Sequence, residues 1–296
     1  MQPDGLFGHS VVSSSSGTHP VLIYHWCEGT VELMTNSPAA DRWARDLASW
    51  AIPQEILDQA PEMPWVHPVK QFTPPDQIPD SLSHQRARAA VPEGGSVLDV
   101  GSGGGRASLA LVPPATHIVG VDTEQAMLDV LAAGAASRGV SLETFQGAWP
   151  TVADSVPECD VVVCHHVVFN VPTIAPFLTA LSSHARRRVV IECPVLHPLS
   201  HLNPLWKRFW NLDRPTGPSA DDLLECAREV GIDANLEVWS DESWGRRAPM
   251  SHDERVAMAR TRVCLTPDRD AEVAQALDEL GDDPERRVAT LWWDIT

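Results

Sequence analysis

The stretch that most constrains the fold is Val97-Leu98-Asp99-Val100-Gly101-Ser102-Gly103-Gly104-Gly105. A short apolar run carries one acid and then breaks into four glycines within five residues. An apolar run bounded by glycines reads as a buried strand. Ala107 to Val112 then supply helix formers. The unit is a strand, a glycine-rich turn and a helix. Glycine reaches positive φ and has no side chain to hold a ligand off the backbone. Such a turn makes a floor on which a nucleotide-like molecule can lie.

Beyond the turn, strand and helix alternate. His117 to Val121 reads as a strand ending at Asp122, and Glu124 to Ser137 as a helix with Met127, Val130, Leu131 and Gly134 on one face. Ser141 to Gln146, Cys159 to Cys164 and Arg188 to Cys193 read as strands, with a helix over Val171 to His184. Alternation of this kind implies a parallel sheet with helices on both faces. The near-continuous Val/Ile runs fit strands buried on both sides. Toward the C-terminus, Pro218 opens a helix that Gly231 stops, and Asn235 to Ser240 reads as a strand. Two further helices are expected over Ser251 to Cys264 and Pro267 to Leu280, then a last strand over Arg287 to Ile295.

The ends and the middle differ from this pattern. Met1 to Leu33 has a serine run and no helical period, which reads as disorder or as a start placed too early. Ser37-Pro38 forms a cap and first-turn pair, after which Trp43, Leu47 and Trp50 recur at i, i+4 and i+7. A short helix over Glu55 to Gln59 and another over Asp80 to Ala90 flank a proline-dense connection. Pro194 to Pro218 carries Trp206, Phe209 and Trp210 amid prolines, and reads as a long segment without regular helix or strand. Segments of that length in a compact domain are commonly lids or binding loops.

Charge and cysteine content remove several function classes. The 296 residues hold 40 acids against 22 bases, a net charge of −18. Phosphate backbones call for clustered Lys and Arg, and the only dense basic run is Arg186-Arg187-Arg188, so nucleic acid is not an expected partner. None of the six cysteines forms a C-x-x-C pair, and several sit in apolar runs, which favours reduced thiols in a cytoplasm. No apolar stretch approaches the ~18 residues of a membrane span. The first thirty-three residues contain no Lys or Arg, so no signal-peptide n-region is expected. His184, His197 and His201 form no recognisable ligand set with nearby carboxylates, and no metal site is expected.

Two nucleotide-binding patterns fail at the turn. A dinucleotide fingerprint wants a third glycine where Arg106 stands, and a P-loop wants G-K-[ST]. The pattern present is G-x-G-x-G. With its surroundings it resembles the class I S-adenosylmethionine-dependent methyltransferases, over roughly Ala90 to Ser240. That resemblance implies a Rossmann-like α/β fold: a seven-stranded, mostly parallel sheet with helices on both faces and an antiparallel last strand. It implies that Asp99, Gly101, Ser102 and Gly103 meet the methionine part of S-adenosyl-L-methionine. Asp122 would accept from both ribose hydroxyls, and Met127 would lie beside the adenine. Gly147, Ala148 and Trp149 would form the adenine loop, although many members have an acid where Ala148 stands. His165 and His166 follow the fourth strand, at the edge where the transferred methyl is held. Either is a candidate general base, since imidazole titrates near neutrality.

The expected organisation is an N-terminal helical cap over 34–90 and a methyltransferase domain over 91–296. Within that domain, 194–218 would be a lid insertion and 251–281 a helical insertion. Trp43, Trp50, Asn170, Trp206, Phe209 and Trp210 are the candidate acceptor pocket. The expected partner is a small hydrophobic or ring-bearing methyl acceptor, the product of the cofactor being S-adenosyl-L-homocysteine. A homodimer is left open. The alternative function is a methyltransferase-like domain that binds the cofactor, or a partner, without turnover. A Rossmann oxidoreductase is the third reading, disfavoured by Arg106.

Overall fold

Valine and isoleucine are the commonest apolar residues of four strands of the chain, and such β-branched runs pack best where both faces are covered. They join three others in one seven-stranded sheet of the computed structural model, which describes residues 21–22, 37–65, 67–68, 73–241, 250–281 and 286–296. The strands are β1 Ser96–Val100, β2 His117–Asp122, β3 Ser141–Gln146, β4 Cys159–His165, β5 Ala185–Pro194, β6 Asn235–Ser240 and β7 Arg287–Asp294. Their order is β3-β2-β1-β4-β5-β7-β6. Pairing is parallel from β3 through β5, and β7 runs antiparallel between β5 and β6. The sheet expected from the sequence is therefore present, including the inserted last strand. The order reverses beside β1, which places the carboxyl ends of β1, β2 and β4 around one crevice. Ligands of open α/β sheets bind at such switch points.

One face of the sheet is covered by apolar contact. Trp43 and Leu47 of α1 (Pro38–Ala48), Phe177 and Leu181 of α6 (Ile174–Ser183), and Leu223 and Ala227 of α8 (Ala220–Glu229) pack against Val162, Val189 and Ile191. Ser37 caps α1 as its sequence implies, accepting from the Ala40 N–H at 3.2 Å while its hydroxyl donates to Glu229 of α8 at 2.6 Å. That pair fastens the first helix to the body.

The other face carries a polar ladder. His165, Glu192, Thr290 and Glu237 are successive register partners across β4, β5, β7 and β6. Helix α3 (Leu82–Arg88) crosses them with a matching group for each rung. His84 stacks on His165 with centroids 5.4 Å apart, and the capping residue Ser81 donates to Glu192 at 3.0 Å. Ser83 meets Thr290 at 2.7 Å, and Arg86 pairs with Glu237. Glu192, Thr290 and Glu237 each meet a hydrogen-bonding group of α3 or its cap, whereas Nε2 of both His84 and His165 is buried without one.

Two elements differ from expectation. The helix expected over Ala107 to Val112 is a single turn, α4 (Arg106–Leu109), because Pro113 and Pro114 lack the N–H groups that would continue it. The segment from Pro194 to Pro218, expected to lack regular structure, contains helix α7 (Asn203–Trp210). Pro204 sits in its first turn, where proline is tolerated, and Leu202, Leu205, Trp206 and Phe209 recur at helical spacing. Helix α7 packs with α2 (Gln54–Leu57), α9 (His252–Arg262) and α10 (Asp270–Leu280) in a second apolar cluster. Most of the 1–33 stretch, expected to be disordered or a misplaced start, lies outside the described residues. Within it, Val21–Leu22 pairs antiparallel with His67–Pro68.

Candidate functional site

The glycine turn after β1 takes the conformation its composition suggests. Gly101, Gly103 and Gly105 have φ of 67°, 49° and 84°, a region that side chains rarely adopt. A Cβ on Gly101 would collide with Val167, and one on Gly105 with Leu131. Those two glycines are required by close packing. Gly103 differs, since nothing stands within 4 Å of the place its Cβ would occupy. The turn is therefore anchored at its ends and open in the middle.

Asp122, at the carboxyl end of β2, ties the turn down. Its carboxylate accepts from the Gly103 N–H at 2.8 Å and from the Glu124 N–H at 3.0 Å. The Val121 carbonyl accepts from Gly101 and Ser102 at 2.8 and 2.9 Å. Burial raises the carboxyl pKa of Asp122 above its ordinary value, opposed by the N–H groups of Glu124, Gly103 and Thr123. The group remains partly exposed, at the rim of the open part of the turn.

Asp99 stands lower. It is 1% exposed, and its carboxylate accepts from the Ser108 hydroxyl at 2.6 Å and the Ser108 N–H at 3.2 Å. Burial pushes its pKa up to about 7. Here its Oδ2 supports the first turn of α4 from beneath. Ser102 and Met127 are likewise buried.

The loop after β3 lies beside Asp122, whose carbonyl accepts from the Gly147 N–H at 2.9 Å. Gln146 donates to the Thr123 carbonyl at 3.1 Å, so it is already engaged. Ala148 is exposed. The Trp149 side chain turns into the core, edge-on to His184 at 4.8 Å.

The structure separates the paired histidines. His165 is buried on the polar ladder, and desolvation lowers its pKa to about 3 against the opposing pull of Glu192. Its side chain is largely enclosed and has little access to a ligand. His166 is the more exposed of the two, with Nε2 3.0 Å from Glu192 Oε1. Val167, the next residue, fills the space behind Gly101. Glu192 itself is not among the site residues expected from the sequence.

Trp43 packs in the first apolar cluster and Trp206, Phe209 and Trp210 in the second. Trp43 is fully buried, stacks on Phe169 and donates to the Val171 carbonyl at 2.8 Å. Trp50 stacks on His197 at 3.7 Å and donates to the Gly217 carbonyl at 2.5 Å. Trp206, Phe209 and Trp210 pack in the second cluster, where Trp210 donates to the Val263 carbonyl at 2.7 Å. Asn170 is exposed, close in sequence to His166. Phe169 meets both Trp43 and His197, His197 stacks on Trp50, and Arg214 bridges Trp50 and Trp206, so ring contacts run from the first cluster to the second. Among the described residues no group of three or more His, Cys, Asp or Glu is arranged to hold a metal ion.

A turn open at its middle glycine, with a strand-end acid bonded to it, is the arrangement expected of a nucleotide-like ligand site. Comparison with known proteins agrees: residues 97–188 match the family model described as a methyltransferase domain. Residues 97–188 are therefore a methyltransferase domain. It is 33% identical over 124 residues to a ubiquinone biosynthesis O-methyltransferase of Hahella chejuensis, covering 41% of this chain and 52% of that protein. A protein of the same name from Aeromonas salmonicida is 31% identical over 112 residues, covering 37% of this chain and 47% of that one. The chain thus spans about half the length of the curated relatives it matches. Among solved structures, an S-adenosylmethionine-dependent methyltransferase of Thiobacillus denitrificans, in complex with S-adenosyl-L-homocysteine, aligns with TM-score 0.49 at 16% identity. That alignment covers 77% of this chain and 96% of that one. The magnesium protoporphyrin IX methyltransferase of Synechocystis aligns with TM-score 0.46 at 14% identity, covering 87% and 95%. The methyltransferase domain thus contains β1 through the start of β5, and with them the turn, Asp122 and both histidines.

Proposed function

We propose that this chain transfers a methyl group from S-adenosyl-L-methionine to a hydroxyl of a small, hydrophobic or ring-bearing molecule. The observation that carries the reading is the turn itself: Gly101 and Gly105 are packed shut while Gly103 opens onto free space beside the Asp122 carboxylate. A cofactor backbone lying over Gly103 would find room that a Cβ removes. The half-exposed Asp122 would accept from a ribose diol. Bound there, the sulfonium supplies an electrophilic methyl group. The chain's own residues have to align the acceptor, exclude water and take up a proton. The curated relatives, both named as O-methyltransferases, favour oxygen as the acceptor atom.

Two substitutions test the cofactor site. Gly103→Ala should cost the fold only ~1 kcal/mol, the penalty of a left-handed residue, because no atom obstructs the new Cβ. Its affinity for S-adenosyl-L-homocysteine should nonetheless fall by about tenfold or more. Asp122→Asn keeps the size of the side chain and one acceptor oxygen for the turn, but loses the charge. A charge-assisted hydrogen bond contributes roughly 1.5–3 kcal/mol, so affinity should again fall about tenfold or more. Asn is the cleaner variant, because Ala would also release the Gly103 and Glu124 N–H groups. Calorimetry showing wild-type affinity in both variants would move the cofactor elsewhere.

The second reading, cofactor binding without turnover, draws on Ala148, where many methyltransferases have an acid. A chain that binds S-adenosyl-L-homocysteine yet transfers no label from methyl-tritiated cofactor to catechols or phenols would favour it.

A further inference from the structure

We propose that Glu192 is a positioning residue of the transfer site, holding His166 by Nε2 so that Nδ1 is left to take the acceptor's hydroxyl proton. This rests on the methyltransferase reading above.

The first support is the strand. Val189, Val190, Ile191 and Cys193 of β5 are wholly buried, and Glu192 among them is 8% exposed. A carboxylate in such surroundings is costly unless each oxygen finds a partner. Oε1 lies 3.0 Å from His166 Nε2, and Oε2 accepts from the Ser81 hydroxyl at 3.0 Å. His165 Nδ1 stands farther off, 3.9 Å from Oε1. Despite its burial, Glu192 has a pKa held well below the ordinary value by His165 and His166, and His84 adds to that. Arg106 and Arg286 also act on it, from the start of α4 and just before β7.

The second support is independent of charge. His166 has φ of 61°, a backbone region uncommon for any residue but glycine. Its N–H donates to the Glu192 carbonyl at 2.7 Å. Main chain and side chain of His166 are thus both fixed by one residue. Backbone strain of this kind persists where the surroundings over-determine it, and it clusters at functional sites. The next residue, Val167, abuts Gly101, so the strained turn joins the acid to the floor of the cofactor site.

The chemistry balances. The acceptor's O–H proton passes to His166 Nδ1, and the oxygen lone pair forms the bond to the methyl carbon. The carbon–sulfur electron pair stays on sulfur, which becomes a neutral thioether. The positive charge lost there reappears on the imidazole, whose Nε2–H faces the Glu192 carboxylate. A carboxylate behind an imidazole fixes its orientation and stabilises the charged ring.

Glu192→Gln, His166→Gln and the double variant test this. With methyl-tritiated cofactor and a panel of catechols and phenols, each single variant should lose about a hundredfold in kcat. Affinity for S-adenosyl-L-homocysteine should hold within about twofold. The double variant should be no slower than His166→Gln, because residues acting as a unit are not additive. Additive losses would make Glu192 merely structural. A second readout needs no acceptor. Proton NMR of the complex with S-adenosyl-L-homocysteine should show a downfield, nitrogen-coupled His166 Nε2–H resonance that both single variants remove. Its absence from the wild-type complex would overturn the assignment. Failure of the wild type to bind S-adenosyl-L-homocysteine would instead remove the methyltransferase reading beneath it.

Discussion

Trp206→Ala should lower the stability of the chain by about 3–5 kcal/mol, the range for deleting a large aromatic side chain from a core. Trp206 is 3% exposed and lies with Leu205, Val256, Ala259, Val263 and Val273 in the cluster that α7 shares with the C-terminal helices. The Arg214 guanidinium sits over its ring at 5.1 Å and over that of Trp50 at 5.2 Å. Arg214 also donates to the Ala51 carbonyl at 2.8 Å, so one cation fastens the chain end of α1 to α7. Removing the indole would leave a cavity and take away one of the two aromatic faces that hold this partly desolvated cation. Folded domains are stable by only about 5–15 kcal/mol, so the loss would be a large fraction of the whole. Urea unfolding measures it. Affinity for S-adenosyl-L-homocysteine, taken below the transition, should be unchanged, because the indole is committed to the helical cluster. A loss under ~1 kcal/mol, with a raised Michaelis constant for the acceptor, would restore Trp206 to the acceptor surface.

The helix that carries Trp206 shows why parts of this chain are harder to read than others. Strand, glycine turn and strand-end acid are local patterns, and Gly101, Gly103, Gly105 and Asp122 stand in the structure where their sequence context places them. The Ser37-Pro38 cap is equally local. Helix α7 is obscured by Pro204, since proline breaks helices in their interior but not in their first turn. The polar ladder is hidden for a different reason. Ser81, Ser83, His84 and Arg86 belong to one short helix and its cap, and their partners Glu192, Thr290, His165 and Glu237 lie on four different strands. No window along the chain brings those residues together. One signal is present: Glu192 interrupts a run of Val, Val, Ile and Cys in a strand that parallel packing would bury on both faces. An acid placed there requires a partner, and His165-His166 on the neighbouring strand is the nearest candidate.

Asp99→Asn should remove a contribution to stability that is lost between about pH 4 and pH 7. Asp99 lies fully beneath the turn, where burial raises its pKa from 3.8 to about 7, while the Ser108 hydroxyl and N–H oppose the shift and the charge of Asp122 adds to it. The folded chain therefore holds this proton more tightly than the unfolded chain does. Between the two values folding takes up a proton, so the contribution is fully present below about pH 4 and is lost as pH rises to about 7. Roughly three pH units at 1.36 kcal/mol each make a loss approaching ~4 kcal/mol. Asparagine keeps the shape of the side chain and an oxygen for Ser108, but does not titrate. Glu192 acts in the opposite direction and in another window: its lowered pKa gives stability that is lost only as pH falls below the ordinary carboxylate range. That contribution is common to both proteins and cancels between them. Guanidinium unfolding from pH 4 to pH 8 should show the stability of wild type relative to Asp99→Asn falling as pH rises, because His165 and the other titrating groups are common to both proteins and cancel in the difference. Parallel curves would mean that Asp99 is ionised across the whole range. It would then be an anion fixed under the glycine turn, the charge that the ammonium group of S-adenosyl-L-methionine would seek.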